Sequence, residues 1–342
     1  MALAPTVPAI DATDLEETAS PRDHPIRSLV LRRLGLGVVS VAAVGFILYW
    51  ATLILPGDAA TAILGQSATP ERVALLREQL GLDKPPVQAF FTWAANFLQG
   101  DFGVSLAQNK PVTELVWQRL PNSMVLVVVA AVVSSLLGVV LGVLVAPRRD
   151  GIVDQILSII FLVTNAMPEF VVGVFVVIVF SVKVFHWFPA VSVLSPGTYV
   201  WQSPEKLVLP VLTLILVTTP YIFRMTRGTM IEALNSDYAE LARLKGVPST
   251  RMLFRHALPN ALPPAIQAIG LNLLYLAGGI VLVEKVFNFP GIGLLLVDAI
   301  GGRDVPVIQF IVILLAATYV LINLVADVAV LLVTPRRRYP RS

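Results

Sequence analysis

Six long apolar stretches, set between shorter polar segments, restrict this chain more than any other feature: 35–55, 123–146, 156–182, 207–223, 266–283 and 305–333. A helix that crosses a bilayer needs about 20 predominantly apolar residues, and in hydrocarbon every backbone polar group must find its partner within the protein. The pattern therefore predicts an all-α polytopic membrane protein with six transmembrane helices. The third stretch contains Asn165, Pro168 and Glu169, and the fourth contains Pro210 and Pro220; neighbouring helices or a water-filled cavity can satisfy such breaks. Gln267 and Asn272 dilute the fifth. The sixth is long enough to tilt or to extend past the hydrocarbon. Composition agrees, with 56% hydrophobic and 14% charged residues against roughly 25% charged in soluble domains.

Orientation follows from the basic residues. With six spans and the N-terminus inside, the inner segments hold 16 Lys or Arg and the outer segments hold 9. Arg32-Arg33, Arg148-Arg149 and Arg336-Arg337-Arg338 all flank spans on that one side, so the positive-inside rule puts both termini in the cytoplasm. The first span is an uncleaved anchor rather than a signal peptide, because no small-x-small cleavage site follows it at Leu53–Asp58. Residues 1–34 form a cytoplasmic tail, disordered by composition over 1–28, and 334–342 a basic cytoplasmic tail. A net charge of +3 is too small to indicate nucleic acid. With no cysteine and three scattered histidines, disulfide scaffolds, thiol nucleophiles and Cys/His metal sites are excluded.

Two polar segments have room for a task. The outer one, 56–122, has an amphipathic pattern over 70–80, a Leu82-Asp83-Lys84-Pro85-Pro86 turn and an aromatic helical run over 90–98; it is read as an external cap. The inner one, 224–262, interrupts the membrane core over 123–333. Asp237 and Glu240 have the spacing of a capping box, which starts a helix there. Gly246, just after Lys245, stops it, and Pro248-Ser249-Thr250 opens a second short helix that ends at Pro259. The result is a compact knob or, on geometry alone, a connector lying on the membrane surface.

Within this loop, Glu240-Leu241-Ala242, then Gly246, then His256-Ala257-Leu258-Pro259 resembles the signature of binding-protein-dependent ABC importer permeases: E-A-A, three residues, G, nine residues, I-x-L-P. Leu241 and His256 depart from it. The longer string from Asp237-Tyr238 to Lys245-Gly246 is similar to the dipeptide/oligopeptide branch. Further strings extend the resemblance over nearly the whole chain after residue 30. Before the second span these are Pro56-Gly57-Asp58, Leu80-Gly81-Leu82-Asp83, Gly100-Asp101-Phe102-Gly103 with Ser105, and Arg119-Leu120-Pro121-Asn122-Ser123. Later come Glu284-Lys285-Val286-Phe287, Pro290-Gly291-Ile292-Gly293, Arg303-Asp304, and Asn323 with Asp327. The long first outer loop resembles the B-type member of the permease pair.

The resemblance implies a type I importer permease fold in a bacterial inner membrane. It also implies a homologous second permease, one or two ATPase subunits, an external substrate-binding lipoprotein, and peptide as cargo, with nickel or glutathione as alternatives. ATP and Mg would be bound by the ATPase chains, since this sequence has no phosphate-cradling G-x-x-x-x-G-K-[ST] string. No catalytic residue is expected in this chain. Tyr238, Ala239, Glu240, Ala242, Lys245 and Gly246 would then be the ATPase-coupling helix, with the two alanines permitting close approach and Glu240 and Lys245 forming a polar rim. A capping role for Glu240 stays open beside this.

Along the path, Glu169 is the prime candidate, because a mid-span carboxylate is costly unless it faces a cavity or a partner. It either lines the conduit, where it can meet a substrate ammonium, or pairs structurally with a neighbouring helix. Asn165, Gln267 and Asn272 either touch cargo or bond between helices. Asp327 reads as a structural contact, and Gly138-x-x-x-Gly142 as a helix-packing notch. A stand-alone secondary transporter or channel would call for internal repeats and several intramembrane ionisable groups. An intramembrane enzyme would call for a nucleophile or metal set. Neither is evident.

Overall fold

The computed structural model describes residues 25–54, 69–72, 74, 85–195 and 197–333. The expected amphipathic pattern over 70–80, the 82–86 turn and the two tails fall largely outside them. Helix α1, Pro25–Ile54, begins ahead of the apolar run and carries Arg32 and Arg33 on its first turns. It lies along the last helix, α10, Val305–Val333, with Gly37 opposite Val320. Arg33 Nε meets Asp327 Oδ2 at 2.7 Å, an ionic contact rather than an aligned hydrogen bond, so Asp327 does bind structurally. The aromatic run is α2, Pro86–Leu98. Its Phe90 and Trp93 pack on Tyr49 with ring centroids 5.2 and 5.3 Å away. Phe97 reaches Phe102, which in turn meets Phe310.

The long rods α3, Val112–Val145, and α6, Glu205–Leu234, form the centre. They approach closely because the Gly138/Gly142 notch faces α6. A Cβ at Gly138 would fall 2.7 Å from Ile222, and one at Gly142 would fall 2.8 Å from Thr226. Pro210 and Pro220 sit inside α6 without breaking it. Leu126, Leu209, Leu214, Leu276, Ile280, Phe287 and Phe289 are the largest fully buried side chains of the core it shares.

Two expected elements differ. The single third span is instead a pair, α4, Ile152–Ala166, and α5, Glu169–Val177, the latter continued by a π-helical turn to Lys183. They bend by 111° at Met167, whose backbone is extended (φ −93°, ψ 138°), as the Pro168 ring demands of the residue before it. The second correction concerns Pro259, which ends nothing. One apolar helix runs over Ser249–Val286, its main part, α8, being Leu258–Val286. A π-helical stretch, Met252–Ala257, widens the turn just before Pro259 and accommodates its ring, as π turns inside α-helices can. Among the described residues five helices are thus long and apolar enough to cross a membrane, and six if the bent pair counts as one broken span. The short apolar α9, Ile292–Gly301, is too short to span.

Candidate functional site: the knob, the broken helix and the opposite end

The loop between α6 and α8 folds into the knob. Its helix α7 is Asp237–Leu244. The expected capping box is absent: Ser236 is the N-cap, no side chain caps the helix, and Ser236 Oγ donates instead to Ala233 O at 2.6 Å. Glu240 is therefore exposed and caps nothing. At the other end Gly246 has φ +75°. Gly246 N donates to Arg243 O at 2.9 Å and Val247 N to Ala242 O at 3.1 Å, the paired bonds of a Schellman turn. Nothing lies within 4 Å of a Cβ built there, so glycine is required by conformation and not by crowding.

The two alanines face inward. Ala239 is fully buried and joins Met230, Leu234, Met252 and Ala257 in a small core, with Ala242 packed against it. They draw α7 onto its own chain rather than opening it to a partner. What faces outward is Tyr238, Leu241 and Leu244, with Leu244 79% exposed, beside Glu240, Lys245 and Gly246. Sequence reasoning missed Leu241 and Leu244. Their spacing of three on the side away from the alanines was the available signal. Arg243 Nη2 donates to Leu234 O at 2.8 Å, and Asn260 Nδ2 to Tyr238 Oη at 3.2 Å, tying the knob to α6 and α8.

Near the knob end, Asp154 on α4 is 3% exposed. Arg227 on α6 clasps it in a two-bond fork at 2.6 and 2.5 Å, and Asp150 N donates to it at 2.9 Å. This pair, with Asp154 buried and Arg227 partly exposed, was also unforeseen and anchors the start of the broken helix.

Glu169 opens α5 immediately past the bend and is half-buried. Tyr275 Oη donates to its Oε2 at 2.9 Å, and Gly279 lies beside Oε1. Tyr275 belongs to an exposed stripe of α8 that includes Gln267, Leu271, Gly278 and Leu282. The structure thus joins Glu169 to the face that carries Gln267. Asn165 is exposed on the last turn of α4. Asn272 is not on that face: it is 7% exposed, and its Nδ2 donates to Ala268 O of its own helix at 3.3 Å.

The end opposite the knob accounts for several of the other strings, while Pro56-Gly57-Asp58 and Leu80-Gly81-Leu82-Asp83 lie outside the described residues. Glu284 is fully buried. It accepts from Ser123 Oγ at 2.6 Å and from Leu294 N at 3.0 Å, while Ser123 Oγ accepts from Ile292 N at 2.8 Å. Asn122 bridges Pro290 O and Val200 N, each at 3.0 Å. Gly291 is needed for clearance, since a Cβ there would sit 2.1 Å from Glu284. Asp304 likewise receives Ser105 Oγ at 2.5 Å and Leu106 N at 3.1 Å.

Residues 138–339 match the family described as binding-protein-dependent transport system inner membrane component. Residues 26–127 match the N-terminal membrane component of the same systems. A probable peptide ABC transporter permease of Sinorhizobium fredii is 42% identical over 91% of this chain and 99% of its own length. Glutathione transport system permeases are similar too: that of Shigella flexneri at 36% and that of Escherichia coli K12 at 35%, each over 91% of this chain and 98% of its own. A multi-pass helical bundle whose family-like strings recur in order, matched over more than half its length, has one reading: this chain belongs to the binding-protein-dependent transport family, as an inner-membrane permease subunit of an ABC importer.

Proposed function

We propose that this chain is one half of the membrane pathway of an ATP-driven importer of short peptides. A homologous permease supplies the other half, and an external substrate-binding lipoprotein delivers the cargo. Separate ATPase chains bind ATP and Mg and dock on the knob; this chain performs no catalysis. Both termini and the knob then lie in the cytoplasm, in keeping with the basic flanks of the spans. The observation that carries the reading is the outward face of α7, where Leu241 and Leu244 stand exposed beside charged Glu240 and Lys245. Apolar side chains within a polar rim have the make-up of a protein contact. Closure of the ATPases would push on α7, and the rods α6 and α8, joined to it through Arg243 and Asn260, would carry the motion to the bend at Pro168.

Glu169 supplies the cargo chemistry. A carboxylate beside an exposed tyrosine suits the ammonium end shared by short peptides. Glutathione is the second reading, favoured by the relatives so named, and it carries the same ammonium. The test is uptake of a labelled dipeptide and of labelled glutathione into membrane vesicles that contain the assembled system, with and without ATP. Dipeptide uptake that needs ATP and separate ATPase chains supports the proposal. Uptake driven by an ion gradient with this chain alone would overturn it, and glutathione uptake alone would select the second reading.

A further inference from the structure

At the knob end, between the ends of α3 and α6 and the turn leading into α8, lies a cavity of about 400 Å³, within the roughly 300–1,000 Å³ range of small-molecule sites. Part of its lining is apolar, including Leu234 and Met252. Among the described residues its charged lining has one sign: Arg149 and Arg243 line it together with Ser249 and Thr250, and no Asp or Glu does. Neither the knob docking surface nor the Glu169 face includes it.

The two guanidinium groups differ in how they are held. Arg243 donates one Nη2–H to Leu234 O at 2.8 Å, which fixes its position at the cavity edge. A guanidinium has five N–H donors, so donors remain for a ligand. Arg149 follows the short turn Ala146–Arg148 in extended backbone and forms no ion pair among the described residues. Two arginines with two hydroxyls suit an oxyanion with more than two acceptor oxygens, which is phosphate geometry. The apolar lining suits whatever carries that group.

We propose that this cavity binds a phosphate group borne on a larger body, with Arg149 and Arg243 on the phosphate and the apolar lining on the rest. Two sources share this chemistry: a phospholipid headgroup, reachable from the ends of the membrane helices, and a soluble phosphate ester. Either one would tie α3, α6 and the turn into α8 together at the base of the knob.

The experiment uses the full chain purified in neutral detergent with the subunits that accompany it. Dihexanoyl phosphatidylglycerol, dihexanoyl phosphatidylcholine and phenyl phosphate, a monophosphate without the adenine that ATPase chains recognise, are titrated separately, and binding is read by native mass spectrometry and by the shift in melting temperature. One saturable site for phosphatidylglycerol supports the lipid source, and one for the monophosphate supports the soluble source. Phosphatidylcholine, whose phosphate is partly neutralised by its own cation, should bind more weakly. The Arg149→Ala, Arg243→Ala pair should weaken binding roughly tenfold or more. Arg149→Ala alone, which removes no ion pair among the described residues, keeps the test valid if the double variant folds poorly, and it should weaken binding several-fold. Absence of any saturable binding overturns the proposal, as does binding unchanged in Arg149→Ala. Loss of an ATPase chain from the variants with phosphate binding intact overturns it as well, because the cavity would then be a protein contact.

Discussion

The knob and the opposite end of the bundle carry equally recognisable strings, yet they use their polar residues in opposite ways. At the knob, the charged members Glu240 and Lys245 stand in solvent, and the parts that hold shape are a backbone turn and two small alanines. At the far end, the charged members Glu284 and Asp304 are buried and gather backbone amides and hydroxyls from distant segments. A string of residues does not say which use applies; burial does. Glu169 and Glu284 repeat the lesson within the membrane. The first is half-buried with a tyrosine donor on an exposed face, and the second is sealed among several donors.

Each of the following substitutions probes that contrast. Glu284→Leu removes the acceptor for Ser123 and Leu294, leaving buried donors unsatisfied, and should cost about 3 kcal/mol or more. The check is folded yield in the membrane and melting temperature in detergent; a variant as stable as the parent would mean the far end is not the structural one. Gly142→Val should follow at about 1–3 kcal/mol, because its side chain must push Thr226 and α6 aside. Normal stability with unchanged uptake would show that the notch can open freely.

Gly246→Val is expected to lose about 1 kcal/mol through its positive φ, whereas Gly246→Asn, better suited to that backbone, should lose less. The measurement compares ATPase co-purification for both at equal abundance; equal behaviour of Val and Asn would remove the conformational argument. Leu244→Glu should leave stability within about 0.5 kcal/mol, as at most exposed sites, while sharply reducing ATPase association and uptake. Retained association would show that α7 is only a connector. Glu169→Gln keeps an oxygen for Tyr275, so its effect on stability should be the smallest, with uptake of cationic or zwitterionic cargo weakened. Unchanged uptake would assign Glu169 to structure.

Hydropathy and spacing made much of the fold legible, because they are local quantities. The apolar runs marked the spans, Gly246 marked a helix end, and Gly138 with Gly142 marked a close crossing. What escaped depended on neighbours. The capping box failed because Ser236 already occupied the cap position with its side chain turned back to Ala233. Pro259 did not end a helix because a π turn preceded it. Leu241, outwardly a departure from the expected string, became part of the exposed face once Ala239 and Ala242 turned inward.

From its sequence alone this chain was a multi-span helical membrane protein with a glycine-stopped knob on one side, since the cost of unpaired backbone in hydrocarbon and of a Cβ at positive φ holds whatever surrounds it. Tertiary structure decided which carboxylates serve the fold and which stay available. It also decided that the third span bends by 111° and that one continuous rod joins the knob to the far end. These outcomes depend on which donors, voids and side chains meet across segments far apart in sequence, and a charge is either sealed or left open only when that meeting occurs.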